Sequence, residues 1–280
     1  MNSPTHLSPF LSPRTAQSVC IPRIDHDLAT TMVQIADIPA EFIGGNIGRL
    51  AVNIAANRLL AAGAVPRYGS FGVTIDTDTP VNTLNAIARA MQQAAVDAEM
   101  EWTACNSGFT PSGPATGVAL SMFALGQLHP DFATSPSGLR PADSIIVTSP
   151  VGTLGTAIEA TRRGEPAEIS HSDGFAMLDA INSLFDVDPD IHYMTLAERG
   201  LNTVISTIAA DHPVNFLREA VPILPSVAET ASRLGLDPLD LHCSSAIVIA
   251  VSQQDTDKAL AALRRTASGS QAAVIATIES

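Results

Sequence analysis

The sequence predicts an α/β fold built in two halves, and three observations support this prediction. Apolar segments of strand length alternate with segments whose apolar residues recur at helical spacing. A stretch rich in Pro and Gly, residues 129–142, divides the chain near its middle. Hydrophobic residues make up 46% of the 280 residues and aromatic residues 4%, so the core must consist mainly of Ala, Val, Ile and Leu.

The first half follows a Pro-containing N-terminal segment, residues 1–27, which predicts a loosely ordered arm. The segment Gly44-Gly45-Asn46-Ile47-Gly48 opens a helix with Asn46 as its N-cap, and Gly63 suits the C-terminal end of that helix. The free N–H groups of such a helix start also make it a candidate anion site, with an ordinary turn and cap as the alternative. Strands are predicted over 31–38 and 68–75, around Trp102 and over 118–128, and a second helix from Thr79-Pro80.

The second half follows a linker at residues 131–142. It begins with a short buried strand, 144–148, whose following turn, Val151–Gly155, leads into a helix. Further helices are predicted near 175–184, 196–209, 226–234 and 255–265, and strands over 246–251 and 272–278. The predicted domains are therefore 28–130 and 143–280.

Composition excludes several classes of function. The net charge of −13, with Lys258 as the only lysine, argues against a nucleic-acid surface. The three cysteines, Cys20, Cys105 and Cys243, are far apart and form no CxxC pair, so no zinc ribbon or disulfide framework is expected. No apolar run is long enough to cross a bilayer, and no secretion signal is apparent. We expect a cytoplasmic protein without membrane or nucleic-acid partners.

Several motifs resemble the HypE family of hydrogenase-maturation carbamoyl dehydratases, within the superfamily of PurM, the aminoimidazole-ribotide synthetase. GGNIGRLAV at residues 44–52 resembles the family segment GGDIGKLAV, and NRLLAAGAVP at 57–66 resembles NDLAMMGARP. Weaker matches are IIVT at 145–148, with Gly152 and Gly155, and LGLDPL at 234–239. Together they cover roughly residues 30–280.

The resemblance implies a PurM-like fold: an N-terminal sheet domain that pairs with its twin in a homodimer, and a C-terminal α/β domain. Mg-ATP would lie between the domains and phosphorylate an amide-like or acyl oxygen. In HypE the acceptor is a carbamoyl group on the protein's own C-terminal cysteine, which is dehydrated to a thiocyanate. The family positions for nucleotide binding fall on Gly44, Gly45, Asn46, Asn57, Arg58, Asn106 and Gly152.

The acidic residues that the family uses for Mg²⁺ are largely replaced. Asn46 and Arg58 stand where the two family segments carry Asp, and Cys105-Asn106 stands for a Gly-Asp pair. Asn contributes no charge to a metal, and Arg58 places a cation where the metal is expected. The family motif DPTRGG is reduced to Ala197-Glu198-Arg199-Gly200, and residues 1–27 lack the glycines of a nucleotide loop. The sequence ends at Ser280 without a cysteine, so we expect no reaction on its own tail.

Two functions from different classes follow. The first is a binding or accessory role, in which a homodimer without an intact ATP and magnesium site holds a protein partner in hydrogenase or other metallocentre assembly. The second is a divergent ATP-dependent enzyme that phosphorylates and dehydrates a separate amide or carboxylate, with Asn46, Asn57 and Asn106 as replacement ligands. A small-molecule site in the cleft between the domains is a third alternative.

Four other motifs have simpler structural explanations. His171-Ser172-Asp173 predicts a loop or helix cap and not a hydrolase triad, because triad residues come from distant segments. Asp25-His26-Asp27 predicts a solvated turn, with a metal site as the alternative. His242-Cys243-Ser244-Ser245 predicts buried structure, with a reactive thiol as the alternative. Asp143 is predicted to be a turn residue before a strand.

Overall fold

The computed structural model describes residues 28–36, 38–110, 117–129, 136–166 and 174–279. The described residues form seven α-helices and eleven strands, joined by short turns. The strands are β1 (Leu28–Ile35), β2 (Glu41–Phe42), β3 (Gly45–Asn46), β4 (Ala64–Asp76), β5 (Glu101–Thr110), β6 (Val118–Leu128), β7 (Ser144–Val147), β8 (Ile191–Leu196), β9 (Val214–Phe216), β10 (Ile247–Val251) and β11 (Ala273–Ile278). The helices are α1 (Ile47–Ala61), α2 (Val81–Asp97), α3 (Thr153–Arg163), α4 (Leu178–Asp186), α5 (Leu201–Ala209), α6 (Pro225–Leu234) and α7 (Thr256–Arg264).

The first half contains a four-stranded sheet in the order β1-β6-β4-β5, with β4 and β5 parallel and the other pairs antiparallel. Successive side chains of a strand point to opposite faces, and here one face is strongly apolar. Val33, Leu120, Met122 and Val73 lie on that face and are buried under α1 and α2. The other face of the sheet carries the exposed side chains of the same strands.

The second half contains a five-stranded antiparallel sheet in the order β8-β10-β7-β11-β9. Every residue of the neighbouring strands β7 and β10 is buried, as expected for strands covered on both faces. One apolar cluster crosses from this sheet to the first half, because Leu60 and Ala61 of α1 pack with Ile146, Met177 and Ile247. The two halves therefore share a continuous apolar seam.

The predicted fold class is confirmed, and most predicted elements agree with the structure to within a few residues. The helix predicted over 196–209 is the main correction, because β8 occupies 191–196 and the helix starts only at Leu201. Gly200, with φ 94°, separates the two elements. Strands β8 and β9 were not predicted: both lie at sheet edges, and their short, mixed sequences have no clear alternation.

The first helix begins and ends as predicted. Asn46 is its N-cap and accepts a hydrogen bond from Gly48 N at 2.8 Å. Gly63 follows the cap residue Ala62 in the left-handed region, with φ 75°. Gly48 sits where α1 crosses α2 so closely that an added Cβ would lie 2.5 Å from Ile87 O and 2.8 Å from Met91 Cγ.

This close approach makes Gly48→Ala a test of the α1–α2 contact. We expect the variant to lose about 1 to 3 kcal/mol of unfolding free energy, because the added methyl group overpacks a backbone contact. Asn82→Ala, on the exposed surface of α2, is the control, because its side chain lies outside the α1–α2 contact. Urea denaturation measures both; equal stability of the two variants would contradict the packing.

Candidate functional site

Asn57 forms the central polar contact between the two halves. Its side chain is fully buried in α1, and its Nδ2 donates to Ser244 O at 2.6 Å and to Phe175 O at 3.0 Å. Its Oδ1 accepts from Met177 N at 2.8 Å. Both amide N–H groups are therefore used within the chain, and one carboxamide satisfies three backbone groups that would otherwise be buried without partners.

Arg58, the next residue, forms a bidentate ion pair across the same seam. Its Nε and Nη2 donate to the two carboxylate oxygens of Glu198 at 2.8 and 2.6 Å, and its Nη1 donates to Met32 O at 2.5 Å. The side chains of Arg58 and Glu198 are each 32% exposed. A fork-to-fork pair of this kind fixes direction as well as distance, so it ties α1 and β1 to the segment that precedes α5.

A cavity of about 350 Å³ lies beside this ion pair. The edge strand β8 forms one wall, and the C-terminal turn of α1 forms the other. The residues that line it are Arg58, Ala61, Ala62, Tyr193, Met194, Thr195, Leu196 and Glu198. The cavity therefore lies at the seam where the resemblance implies a ligand, but its charged side chains neutralise each other.

Residues 241–245 also contact other segments of the second half beside the seam. Besides the Ser244 bond to Asn57, His242 Nδ1 contacts Glu198 O at 2.7 Å, and the fully buried Cys243 Sγ accepts from Gly152 N at 3.3 Å. A Cβ on Gly152 would lie 2.5 Å from Pro238 O, so the protein's own backbone fills the space beside that glycine. Cys243 is thus a buried structural residue, as its motif predicted.

The predicted nucleotide positions fall into three separate places. Asn57, Arg58 and Gly152 meet through residues 241–245. Gly44, Gly45 and Asn46 lie at the opposite end of α1, with Asn46 about 16 Å from Asn57 along the helix axis.

Asn106 lies in β5 on the exposed sheet face, opposite to the face that α1 covers. Its Oδ1 accepts from Ser107 N at 2.8 Å. Burial raises the pKa of the neighbouring Cys105 thiol above its ordinary value, which disfavours a thiolate there.

The side chains at these positions do not fit a magnesium ion. Asn46 Oδ1 caps α1, Asn57 is occupied by backbone groups, and Arg58 carries a positive charge. Within the described ranges, no group of three or more His, Cys, Asp or Glu residues is arranged to hold a metal ion. The motifs Asp25-His26-Asp27 and His171-Ser172-Asp173 lie outside the described residues, as does Cys20.

Two polar pairs were missed by sequence reasoning. Asp143 is the predicted turn residue and accepts from Arg140 N at 2.8 Å, but its carboxylate also lies 2.8 Å from the buried His192 Nδ1. Arg58 and Glu198 are 140 residues apart in sequence. No local sequence pattern indicates either pair. The two partners of each pair lie on different elements, far apart in sequence, and meet only after folding.

Two relatives show the family of the chain. The Rhodobacter capsulatus protein named carbamoyl dehydratase HypE is 30% identical over 253 residues, which cover 89% of this chain and 74% of that protein. The Bradyrhizobium diazoefficiens protein of the same name is 30% identical over 242 residues, covering 85% and 70%. No profile of a known protein family matches the sequence.

Solved structures agree with these relatives. The hydrogenase maturation protein HypE superimposes with a TM-score of 0.90 at 29% identity, covering 100% of this chain and 89% of that one. HypE in complex with ATP gives 0.89 at 29% identity, covering 98% and 84%. A HypE–HypF complex gives 0.83 at 22% identity, covering 98% and 91%, and shows the shared fold.

The two sheets and their shared seam define a PurM-like α/β protein. Within that class the chain belongs to the HypE family. No helix among the described residues has the length and apolar character needed to cross a membrane.

The contacts of Asn57 predict a large loss of stability in Asn57→Ala. The substitution leaves Ser244 O, Phe175 O and Met177 N without their buried partner, so we expect a loss of at least about 3 kcal/mol in unfolding free energy. The control is Asn82→Ala on the exposed surface of α2, which should change stability by less than about 0.5 kcal/mol. Similar urea midpoints for the two variants would show that Asn57 does not join the halves.

Proposed function

We propose that this chain is a HypE-family protein that acts in hydrogenase or metallocentre maturation by binding a partner, without using Mg-ATP. The observation that carries the proposal is the Arg58–Glu198 ion pair. Arg58 stands where the resemblance expects a metal-binding aspartate, and Glu198 lies in the segment that corresponds to a second family motif. A guanidinium at that position repels a divalent cation, and its two carboxylate contacts compensate its charge internally.

The contacts of the neighbouring family positions support the same proposal. The carboxamide of Asn57 is fully hydrogen-bonded to backbone groups of residues 175–177 and 244. Gly152 N donates to Cys243 Sγ. A nucleotide at these positions would have to break hydrogen bonds that are already satisfied and mostly buried, and those of Asn57 join the two halves. Loss of a buried hydrogen-bond partner is costly, so the seam is better suited to hold the two halves together than to open around a ligand.

The relatives supply the biological setting of the proposal. Those that the chain matches are named carbamoyl dehydratases or hydrogenase maturation proteins, and one solved HypE is bound to HypF. The chain keeps the fold of these proteins, and binding a partner does not require a metal site. We therefore place this chain in the same process as a partner-binding or accessory protein. The domain division 28–130 and 143–280 belongs to this proposal, and the two separate sheets support it.

The absence of an intact metal site predicts weak nucleotide binding. Calorimetry of the full chain with ATP and with ADP, each with and without Mg²⁺, should detect no binding at millimolar nucleotide. The variant Arg58→Asp/Glu198→Thr should gain magnesium-dependent binding, because it supplies a carboxylate beside the first cavity and removes the guanidinium.

The control for this experiment is Arg58→Ala/Glu198→Thr, which breaks the ion pair without adding a carboxylate and should gain no such binding. Magnesium-dependent binding of ATP to the unmodified chain in the micromolar range would overturn the proposal. That outcome would favour the alternative, an ATP-dependent enzyme that phosphorylates and dehydrates a separate amide or carboxylate.

We also propose that the chain forms a homodimer through the exposed face of the four-stranded sheet. Met32 and Phe123 lie opposite each other in register on that face, 70% and 43% exposed. Their neighbours across the sheet, Ser70 and Ala104, are small, so the face is flat enough for a second sheet. Exposed apolar side chains on a flat face of this kind are typical of subunit contacts.

Phe123→Asp tests the dimer. We expect the variant to be monomeric by light scattering at micromolar concentrations at which the unmodified chain is dimeric, because a carboxylate would be buried without a partner. Val96→Asp, at a residue of α2 that is 60% exposed, is the matched control and should leave the mass unchanged. A monomeric mass for the unmodified chain at all concentrations would contradict the proposed dimer.

A further inference from the structure

A second groove, with a cavity of about 480 Å³, lies on the seam away from the Arg58–Glu198 ion pair. The C-terminal end of α2 and the turn after it form one wall. The start of α4 and the turn before β11 form the rest. The lining residues are Asp97, Glu99, Phe175, Ala176, Leu178, Asp179, Asn182, Ala267 and Ser268. This volume is in the range of ordinary ligand pockets, and none of its lining residues belongs to the predicted nucleotide positions.

The seam groove is lined by one aromatic side chain, that of Phe175, whose backbone is held in place. Phe175 is 38% exposed, although its backbone is hydrogen-bonded to the buried Asn57. Its carbonyl accepts from the fully buried Asn57 at 3.0 Å, and Met177 N two residues later donates to the same side chain at 2.8 Å. The Phe175 backbone is thus held in place, and a pre-positioned aromatic side chain is the kind of group that anchors an interface.

The rim of the seam groove is negatively charged. Asp97, Glu99 and Asp179 all line it, and no Lys, Arg or His is among its described lining residues. Asp97 accepts from Gln93 Nε2 at 2.8 Å and has Arg49 at 3.7 Å outside the groove, and Asp179 holds the turn at Ser268. Glu99 is exposed, and its backbone N–H donates to Val96 O at 3.1 Å, whereas its carboxylate makes no hydrogen bond or ion pair with any described residue and keeps its full charge.

We propose that the seam groove docks an arginine side chain of a partner protein. A guanidinium can lie flat on the Phe175 ring and still donate in the plane of its fork to the rim carboxylates, whereas an ammonium makes only point contacts. The net charge of −13 favours the approach of a basic partner. The inference rests on the proposed partner-binding role and names the surface and the chemistry of the partner that such a role requires.

The experiment is an amide-resonance titration of the full chain with acetyl-Leu-Arg-Leu-Arg-Leu-amide. The same peptide with citrulline in place of arginine is the neutral isostere. Changes in amide chemical shift should be confined to the seam groove, including Glu99, Phe175 and Ser268. The citrulline peptide should cause no such changes. Glu99→Gln should raise the dissociation constant about fivefold, the size expected for one exposed ion pair. Glu219→Gln, which removes the same charge from another exposed site, should not change it.

Three results would overturn the inference. If Glu99→Gln and Glu219→Gln weakened peptide binding equally, the peptide would be attracted to the acidic surface as a whole and not to the seam groove. No chemical-shift change at the groove amides up to millimolar peptide would mean that the groove does not bind an arginine side chain. Concentration-dependent shifts at the groove without peptide would identify a second copy as the occupant. Nucleotide calorimetry is independent of this titration, so failure of the proposed function and failure of the docking site give different results.

Discussion

The two halves of this protein are joined through the side chain of Asn57. A carboxamide buried completely in an apolar seam must find partners for its own polar atoms, and here it finds three backbone groups from two distant segments of the second half. The surrounding apolar cluster supplies non-directional stabilisation, whereas these hydrogen bonds set the orientation of one half against the other. Both seam cavities depend on that orientation.

The Arg58–Glu198 ion pair sets the charge at the seam beside the first cavity. Relatives of this chain include a HypE solved with ATP, so the fold is compatible with a nucleotide. In this chain a cation and an anion from opposite halves neutralise each other beside the first cavity, and the pair also holds Met32 O. In the proposed function this pair takes the place of a charge arrangement suited to a metal, while the overall fold is that of HypE.

The surfaces that remain available are of two kinds. The exposed sheet face presents Met32 and Phe123 among small residues, and the seam groove presents Phe175 below an acidic rim. An apolar face suits a second copy, because identical patches can meet across a two-fold axis. A groove with one aromatic anchor and unbalanced negative charge suits a basic partner instead. The two surfaces use different elements, so dimerisation and partner binding are compatible.

The sequence by itself determined the local elements and the family. Apolar periodicity, the Asn46 cap, Gly63 and the motif segments at 44–52 and 57–66 are all encoded within a few residues of each other, so propensity and pattern reveal them. Only the tertiary structure decided the pairings. Asn57 with Ser244, Arg58 with Glu198 and Asp143 with His192 join residues far apart in the chain. The edge strand β8 was missed for a related reason: its residues gain strand structure from pairing with β10, and a sequence read locally carries no information about that partner.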